Sequence, residues 1–249
     1  MSGALAGTRV LVTRPAHQAE NLCRLIEAEG GVAIRLPLLT IEPVANPAEA
    51  QRRLAGAHAL WIFTSVNAVR HALPLIGGPL PAHLAAIGPA TAAALAAAGG
   101  AAAATPLAGA SSEALLKLPE LRDIAGQRIL IVTGAAGIDA LERGLSARGA
   151  VVERADVYRR VPLPYPPEAV AAALRRTDVV VVTSSQSLEH LLRLTPEDSR
   201  KLLLRKPLVV PSARMVEKAR DLGFLQPPRV AEPVSDQALC AACAAVPPS

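Results

Sequence analysis

The segment "VVVVTSSQSLEHLL" at residues 179–192 decides the fold class of this chain. Its four consecutive valines are typical of a short strand that is buried on both faces. The hydroxyl residues Thr183, Ser184 and Ser185 follow, and serine and threonine are frequent N-caps of helices. Apolar residues at helical spacing complete the segment. It therefore predicts a buried parallel strand, a hydroxyl-rich turn and a helix, which is the repeating unit of an α/β fold.

The segment "LWIFTSVNAVRHAL" at residues 60–73 has the same pattern, and further pairs of segments match in the same order along the chain. The other matched pairs are residues 9–34 with 128–153, 85–99 with 208–223, and 102–118 with 229–245. Such an ordered set indicates an internal duplication, so we expect two similar lobes with parallel sheets flanked by helices. The strand candidates are residues 9–13, 32–39, 60–64, 84–88, 101–105, 128–133, 151–161, 179–183, 207–211 and 229–232.

Two proline-bearing extended segments, residues 37–47 and 158–167, occupy equivalent places in the duplicated halves. Proline fixes φ and restricts the residue before it, so such segments act as semi-rigid linkers. A contiguous division near residue 125 is the simplest interpretation of the repeat. The linkers instead favour a discontinuous lobe of residues 1–38 and 165–249, an inserted lobe of residues 43–160, and linkers at about 39–42 and 161–164.

The composition favours an α/β protein and argues against a membrane or nucleic-acid role. Hydrophobic residues make up 51% of the 249 residues and aromatic residues only 2%, so small aliphatic side chains form the core. The formal net charge of +5 is spread along the chain, which favours anionic ligands but is not a nucleic-acid footprint. We find neither a signal-peptide pattern nor an apolar run long enough to cross a membrane, so we expect a soluble cytoplasmic protein.

Hydroxyl and glycine residues recur where the predicted strands run into helices. In a parallel sheet these turns lie at one edge, where helix N-termini offer free N–H groups and a positive dipole end. One interpretation is helix capping alone. The other is that the turns bind the carboxylates or phosphates of a polyanion held between the lobes. The candidate binding residues are Arg14, Thr64, Ser65, Asn67, Gly88, Thr91, Ser112, Gly134, Thr183, Ser184, Ser185, Ser212 and Arg214.

Few residues in the sequence carry catalytic chemistry. The five histidines show no metal-ligand spacing, and neither a G-x-S-x-G nor a glycine-rich nucleotide-binding motif occurs. The pair Cys240 and Cys243 lies in an alanine-rich helical segment, so we interpret these thiols as helix packing, and we expect no metal and no cofactor. Tyr158 ends a predicted strand at a lobe junction, either as a functional residue or as packing between the lobes.

An ordered set of motifs resembles the uroporphyrinogen-III synthase family. The motifs are "VLVTRP", "FTSVNAV", "IGPATAAAL", "SSEALL", "VYRR" and "VVVTSS", and they span nearly the whole chain. The resemblance implies two α/β lobes joined by a two-stranded linker, with the substrate hydroxymethylbilane in the cleft between the lobes. It also implies a cofactor-free lyase of tetrapyrrole biosynthesis, which forms uroporphyrinogen III with loss of water and inversion of ring D. We expect this enzyme to be a monomer.

The resemblance also assigns roles to residues by their position. Tyr158 matches the family's active-site tyrosine, which assists departure of the hydroxyl group. Polar cleft positions of the family are matched by Thr64, Ser65, Thr91, Thr183 and Ser184. One departure is that Arg214 stands where the family often has a threonine, and an arginine can bind a carboxylate bidentately.

Two other functions are compatible with the residues alone. Hinge-linked α/β lobes with anion sites at helix termini also serve as receptors, so a non-enzymatic receptor for a small polyanion is the main alternative. A nucleotide-dependent transferase or dehydrogenase is the other alternative, and the missing glycine-rich fingerprint counts against it.

Overall fold

The computed structural model describes residues 3–107, 109–135, 139–232 and 235–246. The chain divides into two compact units: Met1–Thr40 with Val161–Ser249 is unit 1, and Ile41–Arg160 is unit 2. The strands are β1 (Arg9–Val12), β2 (Val32–Arg35), β3 (Leu39–Pro43), β4 (Leu60–Phe63), β5 (Leu84–Ala86), β6 (Arg128–Gly134), β7 (Val151–Pro162), β8 (Val179–Val181), β9 (Leu208–Val210) and β10 (Arg229–Val230). The division between the units falls inside β3 and inside β7.

The helices fill most of the gaps between the strands. They are α1 (Ala16–Ala28), α2 (Ala48–Leu54), α3 (Val66–Ala72), α4 (Pro89–Ala97), α5 (Ser112–Leu115), α6 (Asp139–Ser146), α7 (Pro167–Arg175), α8 (Ser185–Leu194), α9 (Glu197–Arg205), α10 (Ala213–Asp221) and α11 (Asp236–Ala244). None of the helices in the described part of the chain combines the length and the apolar character that crossing a bilayer requires.

Unit 1 is built on a five-stranded sheet with the order β10-β9-β8-β1-β2, in which every neighbouring pair is parallel. Side chains alternate between the faces of a strand, so the valine run contributes to both faces. Val180 and Val182 belong to one buried cluster, whereas Val179 and Val181 belong to the cluster on the other face. Burial on both faces is the property that the four-valine segment predicted.

Unit 2 is built on a second five-stranded sheet with the order β3-β7-β6-β4-β5. The pairs β7-β6, β6-β4 and β4-β5 are parallel. Its two faces are again filled from one strand, because Trp61 and Phe63 join one buried cluster while Leu60 and Ile62 join the other. The carboxyl ends of β4, β5 and β6 therefore meet at one edge of this sheet.

Four strands of the unit 2 sheet follow the order of their counterparts in unit 1, as the internal duplication predicts, and β3 is added at the edge beside β7. Unit 1 runs β2-β1-β8-β9-β10, and unit 2 runs β7-β6-β4-β5 followed by an isolated parallel bridge between Ala85 and Ala104. The predicted fold class of two similar parallel α/β lobes is confirmed. The predicted strand at residues 101–105 is wrong in extent, because only Ala104 pairs there.

The predicted strand at residues 32–39 is also wrong, because two strands occupy this region. Strand β2 ends at Arg35, and β3 begins at Leu39. Pro37 lies between them, and a proline has no backbone N–H to donate to a sheet. The backbone carbonyl of Pro37 instead accepts a hydrogen bond from the hydroxyl of Tyr165 at 3.0 Å.

Candidate functional site

In unit 2, two threonine hydroxyls meet where strands β4 and β6 end side by side. Thr64 follows β4 directly, and its Oγ1 donates to Oγ1 of Thr133 at a distance of 2.8 Å. Thr133 is buried in β6 and is not one of the candidate binding residues. Because this bond engages the Thr64 proton, the Thr64 oxygen keeps the capacity to accept a hydrogen bond from a ligand.

Ser65 joins the helix cap to the buried tyrosine of this unit. It is the N-cap of α3, and its Oγ accepts a hydrogen bond from the backbone N–H of Ala68 at 3.0 Å. The same Oγ lies 3.2 Å from the hydroxyl oxygen of Tyr158. The capping interpretation is therefore confirmed for Ser65, and the cap also fixes a polar contact for the tyrosine.

Tyr158 lies inside strand β7, so the prediction that it ends a strand is wrong. Simple alternation would place Val157 and Tyr158 on opposite faces, yet both belong to the same buried cluster of unit 2. The pairing register explains this, because Thr133 pairs with Asp156 whereas the next residue, Gly134, pairs with Tyr158. A register shift of this kind re-aims side chains, and here it turns Tyr158 into the core of unit 2.

The hydroxyl of Tyr158 is held by polar neighbours although its side chain is only 1% exposed. Besides the contact with Ser65, the guanidinium of Arg160 donates to the Tyr158 oxygen at 3.2 Å. The Arg160 Cζ lies 5.6 Å from the centre of the tyrosine ring, and the ring of His71 lies 5.8 Å from it. A Cβ at Gly134 would lie 2.5 Å from Tyr158 Cζ, so the ring fills the space beside that glycine.

The remaining predicted residues of unit 2 lie in or beside the first turns of helices. Gly88 is the buried N-cap of α4, Thr91 is 3% exposed in its first turn, and Asn67 lies in the first turn of α3. Ser112 is buried, and its hydroxyl makes no hydrogen bond within the described residues. The N-cap of α5 is Ser111, whose Oγ accepts from the N–H of Ala114 at 3.1 Å, so the cap lies one residue earlier than the candidate.

In unit 1, the opening segment forms a cap at the carboxyl end of β8. Ser184 is the N-cap of α8, and its Oγ accepts from the N–H of Ser187 at 3.1 Å and contacts the Ser187 hydroxyl at 2.8 Å. Thr183 precedes it and is half-buried. The Ser185 hydroxyl donates to the sulfur of Met215 at 3.3 Å. Capping is thus confirmed for Ser184, while Ser185 ties α8 to α10.

Two arginines of unit 1, Arg14 and Arg214, are candidate carboxylate ligands, and they have different environments. Arg14 forms an ion pair with Asp236 in the first turn of α11, and Asn21 donates to the other oxygen of that carboxylate at 2.7 Å. Arg14 is therefore already paired with a carboxylate of the protein. Arg214 is exposed in the first turn of α10, next to the N-cap Ser212. Of the two, Arg214 is the better placed to meet a ligand.

The structure supplies a matched pair for testing the caps. We expect Ser184→Ala to lower the free energy of unfolding by about 1 kcal/mol, because it removes the acceptor for the Ser187 N–H. Ser212 occupies the same position on α10 but makes no side-chain capping bond, so Ser212→Ala should change stability by only a few tenths of this amount. Urea unfolding followed by circular dichroism measures both. Equal losses for the two variants would contradict the assigned cap.

The cysteines pack in the core of unit 1, as the helix-packing interpretation predicts. Cys23, Cys240 and Cys243 are all buried in one hydrophobic cluster. Burial raises the pKa of the Cys243 thiol to about 12, so this group is a neutral thiol near pH 7. Within the described ranges, no group of three histidine, cysteine or acidic side chains is arranged to hold a metal ion.

Sequence comparison identifies the family of the chain. The family model described as "Uroporphyrinogen-III synthase HemD" matches residues 20–240. The uroporphyrinogen-III synthase of Salmonella typhimurium is 38% identical over 242 residues, which cover 92% of this chain and 97% of that protein. The enzyme of the same name from Escherichia coli is 35% identical over 241 residues, with the same coverage of 92% and 97%.

Solved structures agree with the fold. A mutant uroporphyrinogen III synthase from the extremely thermophilic bacterium Thermus thermophilus superposes with a TM-score of 0.66 at 24% identity, covering 94% of this chain and 96% of that one. Uroporphyrinogen-III synthetase from Helicobacter pylori gives a TM-score of 0.60 at 14% identity, with coverage of 94% and 97%. At these identities the structures support the fold alone, whereas the sequence matches are closer, at 35% and 38% identity. Together with the family model, they show that the chain belongs to the uroporphyrinogen-III synthase family, as its ordered motifs predicted.

Proposed function

We propose that this chain is a hydro-lyase that cyclises hydroxymethylbilane to uroporphyrinogen III, with loss of water and inversion of ring D. The observation that carries the proposal is the sequence match to uroporphyrinogen-III synthases over 92% of the chain. The arrangement of polar groups in each unit supports it. Hydroxyls and helix N-termini at the carboxyl ends of parallel strands suit a substrate that bears many carboxylates.

Tyr158 is the proposed proton donor to the leaving hydroxyl group. In this step the C–O bond of the hydroxymethyl group breaks, the lone pair of the pyrrole nitrogen forms a C=N bond in the ring, and the displaced ring electrons form the exocyclic C=C bond. The leaving hydroxide takes a proton and departs as water, and the N–H proton that the pyrrole releases balances the proton donated. The Tyr158 hydroxyl donates a hydrogen bond to the departing oxygen and transfers its proton as the C–O bond breaks.

The rest of the reaction depends on positioning. The electrophilic end of the chain must reach the substituted carbon of the last ring, and holding two reacting groups in place can supply much of a barrier reduction. Helices α4, α8 and α10 begin just after the carboxyl ends of strands β5, β8 and β9. The positive end of each helix dipole there favours carboxylates. We assign Arg214 to the same task, because its exposed guanidinium can bind a carboxylate with two hydrogen bonds. The proposal invokes no cofactor, and a monomeric state and a cytoplasmic location stay predictions.

The two tyrosines of the chain provide the test of this proposal. With hydroxymethylbilane generated in situ, the wild-type protein should yield uroporphyrinogen III, measured by separating the oxidised porphyrin isomers. We expect Tyr158→Phe to lower this rate about 10-fold, because the phenylalanine keeps the packing but lacks the hydroxyl. Tyr165→Phe is the matched control and should leave the rate unchanged, because the Tyr165 hydroxyl donates to the backbone carbonyl of Pro37 within unit 1.

The outcomes of this assay separate the candidate functions. Spontaneous formation of uroporphyrinogen I alone would exclude the synthase and leave the non-enzymatic receptor for a small polyanion as the leading function. Equal rates for wild type and Tyr158→Phe would keep the synthase but remove the tyrosine from the chemistry. A larger loss for Tyr165→Phe than for Tyr158→Phe would show that the wrong tyrosine was assigned.

A further inference from the structure

Two consecutive arginines follow Tyr158 in strand β7 and have different environments. Residues two apart on a strand share a face, so Arg160 lies on the side of Tyr158, and Arg159 lies on the opposite side. The contacts agree with this, because Arg160 donates to the Tyr158 hydroxyl oxygen at 3.2 Å. Arg159 instead forms an ion pair with Glu42 at 2.9 Å.

The contact with Arg160 restricts the direction of the hydrogen bonds at Tyr158. A guanidinium can only donate, so the Tyr158 oxygen must accept from Arg160 and its own proton must point elsewhere. Arg160 therefore occupies one acceptor position of the phenol oxygen. Ser65 Oγ lies 3.2 Å from the same oxygen, and either hydroxyl can be the donor in that contact. Loss of the Arg160 donor would free this acceptor position, and the phenol hydroxyl could then rotate toward other partners.

The position of Arg160 over the ring adds a second constraint. Its Cζ lies 5.6 Å from the centre of the Tyr158 ring, within the range of a cation–π contact. The hydrogen bond and the cation–π contact both come from one side chain, so they hold the ring and its hydroxyl together. Arg160 is itself exposed, whereas the ring that it contacts is buried.

We propose that Arg160 is a positioning residue, which acts through Tyr158 by donating to the phenol oxygen and so directing the phenol proton to the leaving hydroxyl group. This inference rests on the proposed function, since it needs Tyr158 to act as the proton donor. It differs from direct binding of a substrate carboxylate by Arg160. If Arg160 bound the substrate directly, its replacement would slow the reaction even in a Tyr158→Phe protein. If Arg160 acts through the tyrosine hydroxyl, its replacement has no further effect once that hydroxyl is gone.

A double-mutant cycle with a neighbouring control tests this inference. The variants are Arg160→Gln, Arg160→Lys, Arg159→Gln, Tyr158→Phe and the double variant Tyr158→Phe/Arg160→Gln. We expect Arg160→Gln to lower kcat for uroporphyrinogen III formation about fivefold with KM within about twofold of wild type. Arg160→Lys should recover part of this loss because it restores a charged donor, and Arg159→Gln should match wild type. The double variant should be no slower than Tyr158→Phe alone.

A second readout does not depend on activity. The chain has two tyrosines, so ¹³C labelling at the tyrosine Cζ in a Tyr165→Phe background leaves a single resonance, that of Tyr158. Arg160→Gln should shift this resonance because the donated hydrogen bond is lost, and Arg159→Gln should leave it in place. The labelled variants also show whether the substitution has disturbed the fold.

The outcomes distinguish a failure of the inference from a failure of the proposed function. A wild-type protein that forms only uroporphyrinogen I overturns the proposed function and the inference with it. An active wild type whose Tyr158 resonance does not move in Arg160→Gln overturns the inference alone. The same holds if the losses in Tyr158→Phe and Arg160→Gln multiply in the double variant, or if the loss in Arg160→Gln lies in KM.

Discussion

The variant Gly134→Ala is expected to form uroporphyrinogen III about 100-fold more slowly than wild type, since small misplacements of reacting groups can reduce rates by this factor. A Cβ at this position would lie 2.5 Å from Cζ and 2.6 Å from Cε2 of the Tyr158 ring. The ring cannot move aside easily, because Tyr158 is 1% exposed and belongs to the same buried cluster as Phe63, Val132 and Val157. Its displacement would break the hydroxyl contacts that the proposed chemistry needs. The same overpacking should lower the free energy of unfolding by about 1–3 kcal/mol.

The control for this variant is Gly78→Ala. Gly78 also lies in unit 2, and a Cβ there would meet no atom within 4 Å. We expect Gly78→Ala to keep the wild-type rate and stability. Isomer separation gives the rates, and urea unfolding gives the stabilities. A Gly134→Ala protein with activity within twofold of wild type would show that the tyrosine ring is not held where the structure places it.

Acid is expected to destabilise unit 2, because it protonates the carboxylate of Glu153. The guanidinium of Arg128, with further contributions from Arg53 and His58, lowers the pKa of the Glu153 carboxyl from 4.5 to about 2. Arg53 Nη1 lies 2.9 Å from the carboxylate and His58 Nε2 lies 3.4 Å from it. The carboxylate is only 15% exposed, so solvent screens these contacts less than it screens a surface pair. The network therefore stabilises the charged form of Glu153 in the folded state.

The sign of the pH dependence follows from the direction of this shift. A carboxyl whose pKa is lower in the folded state contributes stability above its unfolded value, and this contribution is lost as the pH falls from about 4.5 toward 2. We expect Glu153→Gln to lower the free energy of unfolding by about 2 kcal/mol at pH 7, less than the full shift implies because solvent still reaches the pair. In this variant the free energy of unfolding should also depend less on pH between about 4.5 and 2 than it does in wild type.

Tryptophan fluorescence measures this effect in unit 2 specifically, because Trp61 is the single tryptophan of the chain and lies in β4. Glu42→Gln is the control, since Glu42 pairs with Arg159 in the same unit but is 39% exposed. The free energy of unfolding of Glu42→Gln should fall by less than about 0.5 kcal/mol. Equal unfolding curves for Glu153→Gln and wild type between pH 7 and pH 3 would contradict the assigned network.

The sequence was sufficient for the fold class, because that information is local and repeated. A run of valines cannot be solvated on either face, so it predicts a strand buried between two layers of helices. Hydroxyls after such a strand cap the next helix through atoms three residues away, which is why capping was one of the two interpretations of these turns, and Ser65 and Ser184 are caps. Boundaries were less predictable. The apolar pattern alone would have continued one strand through residues 32–39, but Pro37 lies in the break between β2 and β3.

Tertiary structure decided the environment of the candidate site residues. The sequence predicts that Arg14 binds an anionic ligand. In the structure its guanidinium is instead paired with Asp236, which lies 222 positions later in the chain. Thr133 was not a candidate, and its contact with Thr64 exists only because β4 and β6 are neighbours in the sheet. Neither pairing has a local signal, since nothing near Arg14 or Thr64 in the sequence specifies which distant strand or helix lies beside it.

The sequence by itself determined the α/β class, the internal duplication and the family, because strand burial and ordered motifs are encoded in short segments. Tertiary structure alone decided where Tyr158 points. Alternation in β7 would have turned it away from Val157, and only the register shift opposite Gly134 brings both side chains into one core. Register depends on the pairing of two strands, so no reading of β7 alone could supply it.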